Sequence, residues 1–241
     1  MSPKYNRVLL KLSGEALVGS GEHGIDPETL RWIASEIQDA SSLGVQIAIV
    51  LGGGNIFRGQ RSPEYGIDRC SGDVMGMLGT VINGIALQAA LEQKGLEARL
   101  MTAIRMQEVA EPYIRPKALK YLREGKVVVL TCGTGSPFFT TDSAGALRAL
   151  ELKADVLMKA TDVDGVYSAN PAIDENAKRY EAISYKDYLL SGLAVMDWTA
   201  VSLCRAARLP ILVFNLLREG NIRKALNGEE VGTLVGEGNH A

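Results

Sequence analysis

The 241-residue chain sets 26 Lys and Arg against 28 Asp and Glu, a formal charge of −2, with 46% apolar and 22% charged residues. That balance belongs to a globular protein: it excludes the apolar-poor, highly charged signature of disorder and lacks the basic excess of a nucleic-acid binder. Three widely spaced cysteines, Cys70, Cys132 and Cys204, offer neither a disulfide framework nor a Cys-x-x-Cys metal motif and fit a reducing cytoplasm, while the only histidines, His23 and His240, leave chemistry to Lys, Arg, Asp and backbone amides.

The opening stretch MSPKYNRVLLKLSGE is too short in its apolar run and too charged for a signal peptide, and no later run is read as approaching the ~20 apolar residues of a membrane span. Residues 8–12 form the first predicted strand, apolar except for Lys11. A helix follows, with Asp26 as N-cap, Pro27 in its first position, Leu30, Ile33, Ile37 and Ala40 on one face, and Gly44 as the stop. A strand at 45–51 completes the crossover.

The next helix is predicted over 73–94, closed by Gly95, with Met75, Leu78, Ile82 and Ala89 at helical spacing. Its inner glycines, Gly76, Gly79 and Gly84, cost stability unless something packs closely against them. Strands are expected at 98–103, 126–131, 155–159 and 211–215, and helices after Pro116, Thr141, Met196 and Glu219. Residues 169–182, polar and Pro-containing, read as a long surface loop. The alternation predicts one α/β domain over 1–241: a mostly parallel central sheet sandwiched by helices in a three-layer α/β/α arrangement.

Four of the predicted strands run directly into loops rich in Gly, Ser, Thr, Asp or Lys: 11–15 (KLSGE), 52–59 (GGGNIFRG), 133–142 (GTGSPFFTTD) and 159–165 (KATDVDG). Ligands of open α/β sheets sit outside the carboxyl ends of the strands, so the four loops are expected to meet at one crevice. Consecutive glycines at Gly52, Gly53 and Gly54 suit a phosphate cradle, or equally a tight strand-to-helix turn, and Arg58 adds a guanidinium that can grip phosphate oxygens. Lys11 and Lys159 end otherwise apolar strands, where an ammonium is costly unless it meets an anion or reaches water. Asp142 has two candidate roles, helix N-cap or partner of those lysines.

Together these loops resemble, in order and over nearly the whole chain, the amino-acid-kinase superfamily: KLSGE, GGGN and KATDVDG are its general marks. GGGNIFRG, the segment 72–78 (GDVMGML) and TGSPFFTTDSA at 134–144 are similar to those of its bacterial uridylate kinases. The resemblance implies that ATP, with Mg²⁺, phosphorylates UMP to UDP, leaving ADP. It implies that Lys11, Leu12, Ser13, Gly14, Gly54 and Arg58 contact ATP phosphates and that Thr161, Tyr167 and Asn170 hold the adenosine end. UMP would be bound by Gly53, Asp73, Thr134, Gly135, Ser136, Pro137, Phe138, Phe139, Thr140 and Thr141, with Asp73 on the ribose hydroxyls. Lys11, Arg58, Asp142 and Lys159 are the implied catalytic set. A homohexamer and inhibition by UTP are also implied, as is activation by GTP through Gly19, Ser20, Gly21, Glu22, His23 and Gly24, with Arg99 as a cation for the effector. Ser136 and Asn170 depart from the Asn and Asp common in the family at those positions.

The residue inventory agrees with such chemistry, because a nucleoside monophosphate with second pKa near ~6 is largely a dianion at neutral pH and attacks without a general base. A carboxylate kinase of the same superfamily would share the ATP half but lack the FFTTD loop and the segment of Asp73. A non-catalytic oxoanion-binding protein on this fold would be expected to lose Lys11 and Lys159. A nicotinamide enzyme is disfavoured because Phe57 and Phe138 stand where the third glycine of G-x-G-x-x-G belongs.

Overall fold

The computed structural model describes residues 3–171 and 173–237; His240 lies outside them. In chain order the elements are β1 (Arg7–Leu12), α1 (Pro27–Ser41), β2 (Gln46–Leu51), α2 (Arg69–Gln93), β3 (Ala98–Thr102), β4 (Glu111–Pro112), α3 (Arg115–Arg123), β5 (Val127–Thr131) and α4 (Thr141–Leu152). They continue with β6 (Val156–Thr161), β7 (Ala182–Ser184), α5 (Tyr185–Leu190), α6 (Trp198–Ala207), β8 (Ile211–Asn215), α7 (Asn221–Asn227) and β9 (Thr233–Gly236). Short 3-10 turns occupy Gly14–Leu17 and Gly59–Tyr65.

Among the described residues one sheet of nine strands runs β4-β3-β5-β2-β1-β6-β8-β9-β7, parallel at every pairing except β8 with β9. Alternate residues of the central strands feed two separate cores, as a sheet covered on both faces requires. Val8, Leu10, Leu12, Ile47, Ile49 and Leu51 pack with Ile33 and Ile37 of α1, Leu87 and Leu91 of α2, and Ile222 of α7. On the other face Leu9, Ala48, Val50 and Leu157 meet Leu122 of α3, Ala146 and Ala149 of α4, Tyr185 and Tyr188 of α5, and Val201 and Cys204 of α6. The three-layer arrangement and the six longer strands follow the sequence reading.

Several details correct it. Helix α2 starts at Arg69, capped by the Asp68 side chain on the Ser71 N–H at 3.1 Å, four residues before the predicted start at Asp73. Its Met75, Leu78, Ile82 and Ala89 face outward, while its buried face combines Gly72, Gly79, Gly84 and Ala90, which let the backbone approach its neighbours, with Val81, Leu87 and Leu91. A Cβ at Gly84 would lie 2.5 Å from Thr131 Cγ2 and 2.7 Å from Leu100 Cδ1, so close packing does require that glycine. The same helix is 25 residues long and contains an 18-residue stretch with a mean hydropathy of 1.6, long and apolar enough to cross a membrane by length and composition, contrary to the expectation that no run approaches that size. Strands β4, β7 and β9 and helix α5 were not expected; each is six residues or shorter, below what periodicity resolves. The 169–182 excursion is pinned at its base, where the Ser168 N–H donates to the Lys178 carbonyl at 2.9 Å and the Tyr180 N–H to that of Val166 at 2.8 Å.

Candidate active site

The four loops singled out in the sequence follow β1, β2, β5 and β6, which are neighbours at the centre of the sheet in the order β5-β2-β1-β6. Their carboxyl ends therefore open on one crevice. Lys11 and Lys159 stand in register across the β1–β6 pairing, so both side chains leave the same face at the same height. From the first turn of α4, Asp142 meets them: Lys11 Nζ lies 3.0 Å from Oδ1 and Lys159 Nζ 2.5 Å from Oδ2. All three residues are buried. Lys159 donates also to the Val195 carbonyl, and the Asp197 N–H donates to Asp142 Oδ2 at 3.3 Å.

Burial alone would raise the Asp142 carboxyl, but the ammonium groups of Lys11 and Lys159 outweigh it and hold the carboxyl below its ordinary range. For Lys159, burial is the largest influence and lowers the ammonium; Lys11 adds to this, and Asp142 opposes it. Within ion-pair distance two cations share one anion, Asp197 acting on Lys159 only from further off, and buried charge that is only half matched is expensive. An anionic ligand is what such a cluster accommodates. Asp142 therefore takes the second of its two candidate roles: the N-cap of α4 is Thr140, whose Oγ1 accepts from the N–H groups of Asp142 at 3.1 Å and Ser143 at 3.2 Å.

The glycine triplet divides between two purposes. A Cβ at Gly52 would sit 2.7 Å from the Gly14 nitrogen, and one at Gly53 2.3 Å from the Gly76 carbonyl oxygen, so these two are demanded by loop–loop and loop–helix packing. At Gly54 the same atom would meet only ordinary contacts, 3.6 Å to Arg58 Cγ, which leaves this glycine as the one open to a ligand. Arg58 forms an ion pair with Glu15, both half-exposed, so its guanidinium already sits beside Gly54 and the KLSGE loop.

A pocket of about 300 Å³ lies on one side of the cluster, lined by Gly53, Gly54, Arg58, Asp73, Thr134, Ser136, Phe139, Thr140 and Thr141. Asp73 is held there twice, its Oδ1 accepting from Arg69 Nε and its Oδ2 from the Phe138 N–H, both at 2.8 Å. Gly135, Pro137 and Phe138 do not line this pocket; Phe138 is exposed beneath the Arg69 guanidinium. The loop is bent into place by left-handed backbone at Cys132 (φ 59°) and Phe138 (φ 69°), neither a glycine, and the Cys132 N–H donates to Thr80 Oγ1 of α2 at 2.7 Å. On the other side a cavity of about 470 Å³ is lined by Gly165, Tyr167, Asn170 and the 191–195 segment. A further cleft of about 290 Å³ is lined by Ser13, Glu15, Thr161 and Asp162, with Gly19, Thr29 and Leu217.

Sequence reasoning missed Arg69, Thr80 and Asp197. Arg69 was legible as a base four residues before Asp73 on a helix. Thr80 carried no signal apart from its place in the same helix. Asp197 looks like an ordinary N-cap, and it does cap α6 through the Ala200 N–H at 2.8 Å, yet it also accepts from Thr140 Oγ1 and from Ser143 Oγ, joining α6 to the start of α4. The 19–24 segment and Arg99 are not brought together. The former is tied to Asn55 beside the glycine loop, whereas Arg99 lies near the other end of the sheet, 3.6 Å from Glu97 and over the Tyr121 ring, which Lys117 and Lys126 also flank.

A parallel α/β/α sandwich with a Lys–Asp–Lys cluster among glycine loops defines a class of phosphoryl-handling domains. Residues 6–215 match the amino acid kinase family, and the chain belongs to that family. Among solved structures it is similar to the UMP kinase of Bacillus anthracis, at 42% identity and TM-score 0.94 over 97% of this chain and 96% of that one. It is likewise similar to the UMP kinase of Ureaplasma parvum, at 34% identity and TM-score 0.91 over 97% and 100% of the two chains. The uridylate kinase of Archaeoglobus fulgidus matches at 30% identity and TM-score 0.74 over 95% and 99%.

Proposed function

We propose that the chain transfers the γ-phosphoryl group of ATP to UMP. The observation that carries this reading is the Lys11–Asp142–Lys159 cluster with its two cations on one anion, set between two cavities of nucleotide-fragment size. The 470 Å³ cavity with Tyr167 and Asn170 suits the adenosine end, and the 300 Å³ pocket with Asp73 and the 133–142 loop suits UMP. The phosphates then meet above the two lysines. In-line phosphoryl transfer asks mainly for positioning and for fixed positive charge, and it needs no proton acceptor when the attacking oxygen is already ionised. Lys11, Lys159 and Arg58 supply that charge, and Asp142 holds the lysines in place.

Magnesium would arrive on ATP, held by phosphate oxygens and water. The oxygen donors of Ser13, Glu15, Thr161 and Asp162, which share the smaller cleft, are of the hard type that this ion accepts. The outward stripe of Met75, Leu78, Ile82, Ile85 and Ala89 on α2 has the 3-4-3-4 spacing of a helix–helix seam, so we assign it to a second copy of the chain within a homo-oligomer, the hexamer implied by the resemblance. A cytoplasmic setting, GTP activation and UTP inhibition belong to the same reading.

The test is ADP release from ATP and Mg²⁺ with UMP, CMP, AMP, acetylglutamate or aspartate as separate acceptors, each with and without GTP and UTP. Turnover confined largely to UMP is the expected result. Turnover only with a carboxylate acceptor would move the chain to another activity of its family, and no turnover with any acceptor would defeat the reading.

A further inference from the structure

Asn83 lies fully buried in the middle of α2, and Asn55, also buried, follows the glycine triplet. Their side chains meet as reciprocal amides. Asn83 Nδ2 donates to Asn55 Oδ1 at 2.7 Å, and Asn55 Nδ2 donates to Asn83 Oδ1 at 3.0 Å. The second hydrogen of each amide goes to the backbone of a different loop: Asn83 Nδ2 donates to the Gly52 carbonyl at 2.7 Å, and Asn55 Nδ2 to the Gly24 carbonyl at 2.8 Å. The Gly24 N–H returns to the Asn55 carbonyl at 2.9 Å. All four amide hydrogens are thus used, and each side-chain carbonyl accepts one of them. Asn55 Oδ1 also lies where a Cβ on Gly14 would come within 2.5 Å, so the pair is pressed against the loop after β1 as well.

An apolar pair would fill this space without the exacting geometry. A fully satisfied buried network instead fixes orientation, because any displacement strands a polar group away from water. The Gly52 carbonyl belongs to the peptide that presents the Gly53 N–H, and it comes just before the open glycine, Gly54. Its orientation therefore sets the direction of the Gly53 N–H and the entry of the chain into Gly54.

We propose that the Asn55–Asn83 amide pair is a positioning device, which fixes the aim of the glycine loop and fastens the 19–24 segment to it, so that both move with α2. Neither side chain is assigned contact with a reacting atom. The kinetic consequence rests on the phosphoryl-transfer reading; the structural consequence does not.

The test uses the full chain with Asn83→Ala, Asn55→Ala, the double variant, and Leu87→Ala as a control that opens the core one turn further along α2. Steady-state UMP phosphorylation is measured beside amide hydrogen exchange. Each single Asn variant is expected to lose about tenfold or more in kcat through misplacement of the loop. The double variant should be no worse than the poorer single, as for groups acting as a unit. Exchange should quicken in 19–24 and 52–55 and stay unchanged in β5. Leu87→Ala should lower the unfolding midpoint and keep its kcat. Should Asn83→Ala fail to fold, Asn83→Ser is measured in the same way. A kcat within about threefold of wild type, additive losses in the double variant, or unchanged exchange at 19–24 would overturn the proposal. A wild-type chain inert toward UMP would defeat the functional reading alone, and exchange would still decide the role of the amides.

Discussion

Replacing Asp142 by Asn should damage stability far more than replacing either lysine, although the three side chains form one cluster. Asp142→Asn leaves two buried ammonium groups facing each other with no anion between them, where they had shared one at 3.0 and 2.5 Å. Breaking a buried pair by removing one partner costs ~3–5 kcal/mol. Lys11→Met or Lys159→Met leaves one cation opposite one anion, a neutral pair, and keeps an apolar stem in the same space, so the loss should stay within ~1 kcal/mol. Activity should separate the variants differently: on the proposed reaction each lysine removed takes a fixed charge from the transferring group, worth roughly 10²–10³ in kcat, with folding intact. The assay is urea unfolding of all three variants with and without inorganic tripolyphosphate, beside steady-state kinetics. Tripolyphosphate should recover part of the Asp142→Asn loss, since a ligand bound only by the folded chain stabilises it and the surplus cation strengthens that binding. The reasoning is refuted if a lysine variant loses as much stability as Asp142→Asn, or if Asp142→Asn stays within ~1 kcal/mol of wild type.

On the proposed reaction Lys159 acts protonated, and because its pKa is lowered, mainly by burial, kcat should fall on the alkaline side at a pH below the ordinary lysine value of 10.5. The limb should lie closer to neutrality in Asp142→Asn, which loses the attraction that opposes the shift; a kcat–pH profile checks both. The depressed Asp142 carboxyl contributes stability that is present above its unfolded pKa of 3.8 and lost only as pH falls through the lower folded value, a window read by acid unfolding. Asp73→Asn should raise KM for UMP about tenfold or more, the scale of a charge-assisted hydrogen bond, and leave KM for ATP within about twofold. Ile82→Asp on the outer face of α2 should dissociate the assembly, measured as mass by light scattering; an unchanged mass would rule out the seam.

The central half of the fold was legible because β1, β2, β5 and β6 are long apolar runs that stop at glycine or polar loops, and their order of use in the chain placed those loops at one crevice. Lys11 and Lys159 were legible for a related reason: an ammonium at the end of a buried strand contradicts its surroundings and asks for an explanation. The outer strands β4, β7 and β9 were not, since two to four residues carry no period. Helix α2 is apolar on both faces: Leu87 and Leu91 reach the core and Gly84 brings the backbone close to the sheet, while Met75, Leu78 and Ile82 stay outside, so apolar spacing alone did not separate core from surface. Asn83 was invisible altogether, because an amide acquires meaning only from what the fold sets opposite it.

The geometry of the cluster also explains why so few titratable groups suffice. Proton-transfer catalysis needs a group that changes state, and hence one with a pKa near the working pH. Lys159 and Asp142 are instead locked against each other: the carboxyl is pushed below its ordinary range, so that it stays ionised at neutral pH, and the register of β1 with β6 fixes the spacing of the ammonium groups. On the proposed reaction such a cluster need not reorganise as charge moves from one phosphate oxygen to another, which is the condition under which fixed charge is most effective. The connection of Lys159 to the Val195 carbonyl then gains a purpose beyond packing, because it anchors the charge to the segment that lines the 470 Å³ cavity, and the bond from the Asp197 N–H to Asp142 holds the carboxylate to the chain just beyond it. Filling that cavity should therefore be felt at the lysines.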